Sequence, residues 1–450
     1  MSLVSLKAVC IVLCLSAVFS RLPVSYRPFA LIVSGLLFFA DSPDLLLLHS
    51  AHILLTLISA LLMVWYEKAG KPLLILGISV QCVSLFWLHG RGGFSFAALA
   101  HIGFLLDIAR TRELRGIAAS ASVLAYFPWL QEGPIIDVLA VSDQLSHVES
   151  PSWARASRAV LRIVTGLVKK LVIADRFAPF VNSVFSSPQV CGAGALWLAV
   201  LAYAVQVYMD FSGCMDIVLG ASSLVGIDLP ENFRRPYLAD SFSEYWRRWH
   251  ITMGSWFKRR FFYPLVTSVP MLKLAGRLTG RSGGLSGAGM AMAVPLLLTW
   301  ALVGLWHGPA PHYVLWGIVN GLLILSERLF PAKRLRLPKA LRIAKTFLLM
   351  SLTRVLFRAD SLRSALRFYA GLFRFTGGAF SPKSASPALF VAVFAALLFF
   401  LNEIHTEQVG AREIPVCRAL VLAALGAAAV LIFGCYGPGY SPTEFYYNRF

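Results

Sequence analysis

Long stretches without charge constrain this chain more than any other feature. Residues 4–20, 28–40, 44–65, 72–88, 192–209, 288–306, 312–326, 388–401 and 417–436 are each nearly free of Asp, Glu, Lys and Arg. A helix needs roughly 20 apolar residues to cross a bilayer, and in hydrocarbon it satisfies its own backbone. Some of these runs are long enough and others are shorter, so about ten to twelve crossings are expected, some tilted or broken. Composition agrees. The 450 residues are 58% hydrophobic and 14% charged, whereas a soluble domain carries about a quarter charged residues. The expected class is an all-α polytopic membrane protein, read as one domain over residues 1–450. The first run has no A-x-A-like site and the next begins almost at once, so it is read as a retained helix.

The net charge of +19 lies between the apolar runs. Arg110, Arg112 and Arg115 form one cluster; Arg155, Arg158, Arg162, Lys169 and Lys170 form another. Two more run from Arg234 to Arg260 and from Lys333 to Lys345. Short loops rich in Lys and Arg stay cytoplasmic and meet anionic lipid headgroups, so membrane lipid is the expected partner and nucleic acid is not. The seven cysteines make no C-x-x-C pair and are read as apolar helix fillers, with neither a disulfide framework nor a metal site. Four polar stretches are expected as loops or connectors: residues 141–157, 273–287, 331–345 and 376–387.

Polar groups at bilayer depth are costly and mark candidate sites. In YAVQVYMDFSGCMDIVLG (203–220), Tyr203, Gln206, Asp210 and Gly213 share one helical face. Asp210 and Asp216 either join neighbouring helices or meet a ligand. In EYWRRWHITMGSWFKRRFFYPL (244–265), Trp246, Trp249, His250, Met253, Trp256 and Phe257 recur as one apolar stripe. That pattern predicts a continuous interfacial helix, basic on the other face. His250, on the stripe, is either a satisfied core histidine or lines a cavity. In LLLTWALVGLWHGPAPHYVLWGIVNG (296–321), His307 ends a crossing-length run and Gly308, Pro309 and Pro311 follow. Broken helices at depth line cavities. A desolvated imidazole there is neutral, the form a general base needs. His49, His52, His89, His101, His147, His312 and His405 lack such context and are read as surface, interfacial or packing residues. Metalloprotease, P-loop, α/β-hydrolase and dinucleotide motifs are missing from the sequence.

Six segments in order carry a resemblance. They are FPWLQEGPII (127–136), YMDFSGCMDIVLG (208–220), GIDLPENFRRPYLADSFSEYWRRWHITMGSWF (226–257), GLWHG with VLWGIVNG (304–321), RVLFRADSLRSAL (354–366) and the terminal EFYYNRF. Together they resemble the membrane-bound O-acyltransferase family, in its bacterial, alginate-type polysaccharide O-acetylation branch. The resemblance implies about eleven transmembrane helices with interfacial helices around a transmembrane tunnel, in the bacterial inner membrane. It implies that His307 is catalytic and that His250 lies at the cytoplasmic mouth as its catalytic companion. The substrate-contacting set it implies is Trp246, Arg247, Arg248, Trp249, Trp306, Asp210 and Asn232, with no metal.

The reaction implied is acyl transfer, acetyl first, with no bound cofactor. The donor is acetyl-CoA or another acyl thioester, its phosphates near Arg247, Arg248 and Lys258. The acceptor is a hydroxyl of an exported polysaccharide, or an extracytoplasmic SGNH-type acetyltransferase partner that passes the group on. Three rivals stand beside it: an acyl conduit without chemistry of its own, D-alanyl transfer to a cell-wall polymer, and transfer of longer chains. This chain also departs from the family pattern. Pro309, Ala310, Pro311 and His312 stand where many relatives read A-x-W-T, Asn320 replaces a histidine of some, and Tyr263-Pro264-Leu265 lacks a following Gly-Gly turn. These departures bear on the acceptor more than on the reaction.

Overall fold

The computed structural model describes residues 5–66, 68, 70–88, 93–114, 116–282, 292–330, 337–374, 387–410 and 413–436. Every regular element among them is a helix, apart from one bridge pairing Phe233 with Trp249. Among the described residues six helices are long and apolar enough to cross a membrane: Pro43–Trp65, Gly70–Trp87, Phe94–Thr111, Ala193–Val225, Ala388–Val409 and Val416–Phe433. Two shorter apolar helices are Val24–Phe39 and Ala293–His307. Leu420, Val421, Leu425 and Leu431 of the Val416–Phe433 helix are exposed while Ala419 and Ala423 are buried. Leucines outward and alanines inward is the arrangement lipid tails solvate. The chain is a multi-pass membrane protein.

Fewer helices meet the full crossing length than the apolar runs promised, for two physical reasons. One run ends at a break after His307. Others form helices of only 13 residues, Leu6–Val18 and Arg27–Phe39. Several expected loops are shorter than predicted. Residues 141–144 close the Val138–Gln144 helix and 153–157 open the Trp153–Leu167 helix. Residues 273–282 continue the Val269–Ser282 helix despite Gly276. The rest of that stretch, residues 331–336 and 376–386, His89, Arg115 and the terminal EFYYNRF lie outside the described residues.

The chain divides into two compact units. The first comprises Met1–Val172, Met209–Glu231 and Arg412–Phe450. Its histidines at 49, 52 and 101 are buried between helices, as packing residues are, and two of them make polar contacts. Thr56 Oγ1 lies 2.7 Å from His101 Nδ1 and accepts from Gln81 Nε2 at 3.1 Å, and His52 Nε2 lies 2.8 Å from Ser84 Oγ. The His49 ring stacks on Phe94 at 4.1 Å. These contacts tie together three crossing-length helices, as interhelical polar groups do where hydrocarbon leaves no other partner.

Charged groups of the same unit form a second set of ties. Asp210 Oδ1 accepts from Lys170 Nζ at 2.7 Å, both side chains buried. Asp216 takes Lys169 at 2.6 Å and Arg162 at 3.1 Å, and Arg162 also forks onto Glu231. Lys169 and Lys170 lie in a π-helical turn, Val168–Ala174, whose wider winding carries consecutive lysines toward the acidic helix. The helix-joining reading of Asp210 and Asp216 is the one these ion pairs fit.

The second unit comprises Ile173–Tyr208 and Asn232–Ala411. It holds the remaining candidate residues.

Candidate active site

The scaffold is a helical hairpin. The apolar run 293–306 forms the helix Ala293–His307. Gly308 stops it with φ of 152°, and Pro311 at the first position starts the return helix Pro311–Leu329. The two pack backbone against backbone. A Cβ at Gly317 would fall 2.1 Å from the Trp300 carbonyl oxygen, and one at Gly304 would fall 2.3 Å from that of Tyr313. At the open end Arg328 Nη1 reaches Met292 Sδ at 3.2 Å. At the closed end His307 is 2% exposed. Its ring is walled by Trp306 at 4.4 Å, Phe357 at 4.9 Å and Trp316 at 5.3 Å between centroids.

The stretch around His250 is two short helices, Phe242–Arg248 and Ile251–Phe257, followed by a π-helical turn, Lys258–Phe262. The expected continuous helix is therefore corrected. The cause is a long-range pairing that periodicity does not record. Arg234 N–H donates to the Arg248 carbonyl at 2.9 Å and Ile251 N–H to the Asn232 carbonyl at 3.0 Å. His250 at the break has φ of 47°, a left-handed conformation that costs roughly 1–2 kcal/mol for a side chain with Cβ. Local strain held by surrounding structure clusters at functional sites. The first short helix is held at its start by Glu327, whose carboxylate accepts from Phe242 N–H at 2.6 Å and Ser243 N–H at 3.0 Å.

Asn232 sets the chemistry of His250. Its side-chain oxygen accepts from Thr252 N–H at 3.1 Å, from Thr252 Oγ1 at 3.0 Å and from His250 Nδ1 at 3.2 Å. A backbone N–H only donates, so the amide oxygen faces these groups. Nδ1 must then carry the imidazole proton, which makes Nε2 the basic nitrogen. Burial pushes the His250 pKa down to about 3, so the ring is neutral near neutral pH. Asn232, expected among substrate contacts, is placed against His250. Trp249 is likewise packed, with the Arg354 guanidinium 4.4 Å over its ring. Trp306 bridges the two histidines, 6.0 Å from His250 and 4.4 Å from His307.

Two cavities open beside this core. One of about 160 Å³ has apolar walls from Trp246, Phe257, Trp300 and Val303, and cations Arg247, Lys258 and Arg328. The other, about 470 Å³, is lined by Arg234, Arg235, Arg247, Arg248 and Lys258 with Glu244 and Glu407. The two share Trp246, Arg247, Gly254 and Lys258. Glu244 and Glu407 pair with Arg248, and Glu407 also with Arg235. Arg247 and Lys258 have no carboxylate partner among the described residues. Partial burial and the neighbouring Arg247 and Arg328 hold Lys258 below the ordinary lysine range. Such crowding of cations favours an anion between them.

Of the expected site residues, Trp246, Arg247, Arg248, Trp249, Asn232, His250, Trp306 and His307 all lie in this unit. Asp210 belongs to the first unit, paired with Lys170. Trp316, Phe357, Arg354 and Arg328, which the sequence did not single out, are brought beside them by packing. Among the described residues no group of His, Cys, Asp and Glu is arranged to hold a metal ion.

The profile of the membrane-bound O-acyltransferase family matches residues 124–275. The probable alginate O-acetylase AlgI of Pseudomonas fluorescens is 31% identical over 344 residues, 74% of this chain and 66% of the relative. The peptidoglycan O-acetyltransferase of Helicobacter pylori is 29% identical over 57% of this chain and 47% of its own length. The teichoic acid D-alanyltransferase of Bacillus subtilis is 26% identical over 46% and 50%. The match thus spans about half to two thirds of the length of these curated relatives. With the polytopic helical fold, the profile match and these relatives in hand, the chain belongs to the membrane-bound O-acyltransferase family.

Proposed function

We propose that this protein is an O-acyltransferase of the bacterial inner membrane that takes an acetyl group from a cytoplasmic acyl thioester such as acetyl-CoA. The acceptor is a hydroxyl of an exported polysaccharide, or of an SGNH-type acetyltransferase outside the membrane that passes the group on. One observation carries the reading. His307, enclosed by Trp306, Trp316 and Phe357, lies at the closed end of a hairpin whose open end borders a cavity carrying Arg247, Lys258 and Arg328. Excess Arg and Lys assign that open end to the cytoplasm.

In this mechanism Arg247, Lys258 and Arg328 hold the anionic head of the donor, and its arm enters between Trp246 and Trp300. The basic Nε2 of His250 meets an N–H group along the arm. His307 removes the proton of the acceptor hydroxyl as the oxygen attacks the thioester carbonyl. The C–S bond breaks and the thiolate leaves, taking up the proton. Aromatic walls keep bulk water from the ester, and the neutral imidazole stays a base.

The test is His307→Ala in reconstituted vesicles. Acyl transfer should fall by about 10²–10⁴-fold, the usual contribution of a general base. Unchanged transfer by a folded variant would refute the assignment. A purified wild-type protein that moves thioester without turning it over would support the conduit instead. The D-alanyltransferase relative favours a second reading, D-alanyl transfer, and mass spectrometry of surface glycans with and without the protein separates the two groups.

A further inference from the structure

The turn of the hairpin holds a second imidazole that the mechanism above does not use. His312 occupies the second position of the Pro311–Leu329 helix, across the Gly308–Ala310 break from His307. It is 4% exposed. Its Nε2 is buried and has no hydrogen-bond partner among the described residues. A polar atom buried without a partner costs about 1–3 kcal/mol, and in a native structure it calls for an explanation such as a catalytic role or an unseen ligand, water or ion.

The neighbours of His312 connect it to His307. Its ring lies 4.2 Å from that of Tyr313. The Tyr313 ring lies 5.6 Å from Phe357, and Phe357 lies 4.9 Å from His307. Phe357 ends one turn before Asp360, which is exposed. The Asp360 carboxylate interacts electrostatically with His312, so the ring lies within reach of a group in contact with water. The end of the hairpin is therefore buried at His312 and wet at Asp360.

Position along the hairpin assigns the substrate. Arg328 marks the cationic end and His312 the other end of one helix, sixteen residues apart in number. At 1.5 Å per residue that is about 24 Å, most of the roughly 30 Å hydrocarbon core of a bilayer. The donor's anionic head belongs at the cationic end. What approaches the opposite end is uncharged at its reacting group and carries hydroxyls.

We propose that His312 is the acceptor-side binding residue of the site, its Nε2 hydrogen-bonding a hydroxyl of the incoming polyol or sugar while His307 deprotonates the one that reacts. The inference rests on the acyltransfer reading above and adds a residue to it. It involves no further bond change. The hydrogen bond orients the acceptor, and the transfer step is balanced as already written.

The experiment uses the full-length protein in vesicles, acetyl-CoA as donor and short alginate oligosaccharides as the hydroxyl probe. His312→Ala should raise the acceptor KM about tenfold, the loss expected for one hydrogen bond to a buried group. Donor KM should move less than twofold and kcat at saturating acceptor less than threefold. His312→Gln, which keeps a polar atom at similar reach, should restore most of the acceptor KM, and His312→Asn, with shorter reach, should not. An acceptor KM unchanged in all three variants, or a donor KM that moves in step with it, overturns the proposal. If His312→Ala does not fold, the Gln and Asn pair decides alone. Failure of the underlying reading looks different, because His307→Ala would then keep full activity whatever His312 does.

Discussion

At the scale of single residues, the two proposed catalytic imidazoles are managed in different ways. His307 is enclosed by rings. His250 is fixed by one amide oxygen that dictates which nitrogen carries the proton. The sign of its pH effect follows. The ordinary histidine value of 6.5 applies in the unfolded chain and about 3 in the folded one. The unfolded state therefore binds the proton first as pH falls, and stability present above 6.5 is lost progressively toward pH 3. The thermal midpoint should drop with acidification across that window, and the drop should be shallower in His250→Gln. Equal slopes in the two proteins would mean that the ring is not held neutral. Asn232 was legible as a residue of interest from the family resemblance carried by residues 226–257. Its action on His250 was not, because eighteen positions separate them and only the folded chain closes that gap.

At the scale of elements, breaks and close contacts matter more than helix length. The break after His307 could be read directly, since Gly308, Pro309 and Pro311 announce it. The break at His250 could not. Its apolar residues keep a 3.6-residue phase straight through it, and the cause is pairing with residues 232–234. The polar ties among His52, Thr56, Gln81, Ser84 and His101 were equally hidden, because each needs a partner on another helix. Helix packing at the hairpin gives a direct prediction. A methyl at Gly317 has no room beside the Trp300 carbonyl, so Gly317→Ala must push the helices apart. Usually a helix-interior Gly→Ala change stabilises by about 1 kcal/mol. Here it should instead lower the thermal midpoint by several degrees and weaken acyl transfer, measured by a melting assay and by turnover. A gain in stability would show that the two backbones do not approach so closely.

At the scale of the whole molecule, the sequence made the membrane class plain, because charge-free runs leave few alternatives. The surplus of positive charge read mostly as topology, apart from the cations the resemblance set beside the donor's phosphates. Within the second unit it proves local, concentrated on Arg234, Arg247, Lys258 and Arg328 around two cavities. Removing two of these cations tests whether they serve a ligand or only the membrane. Arg247→Ala with Lys258→Ala should raise the donor KM at least tenfold and flatten its dependence on salt, with little change in the acceptor KM. A donor KM indifferent to both changes would leave orientation as their sole duty.

The glycine contacts that weld the hairpin also make it a ruler. Arg328 is a cation of that cavity, and its helix begins seventeen residues away at Pro311, just past the break after His307, a fixed span of roughly 25 Å. Rigid backbones cannot shorten that span to suit a stubby carrier. Only a thioester whose tether covers it can anchor its phosphates and present its carbonyl at once, so length itself becomes a criterion of choice among cellular thioesters.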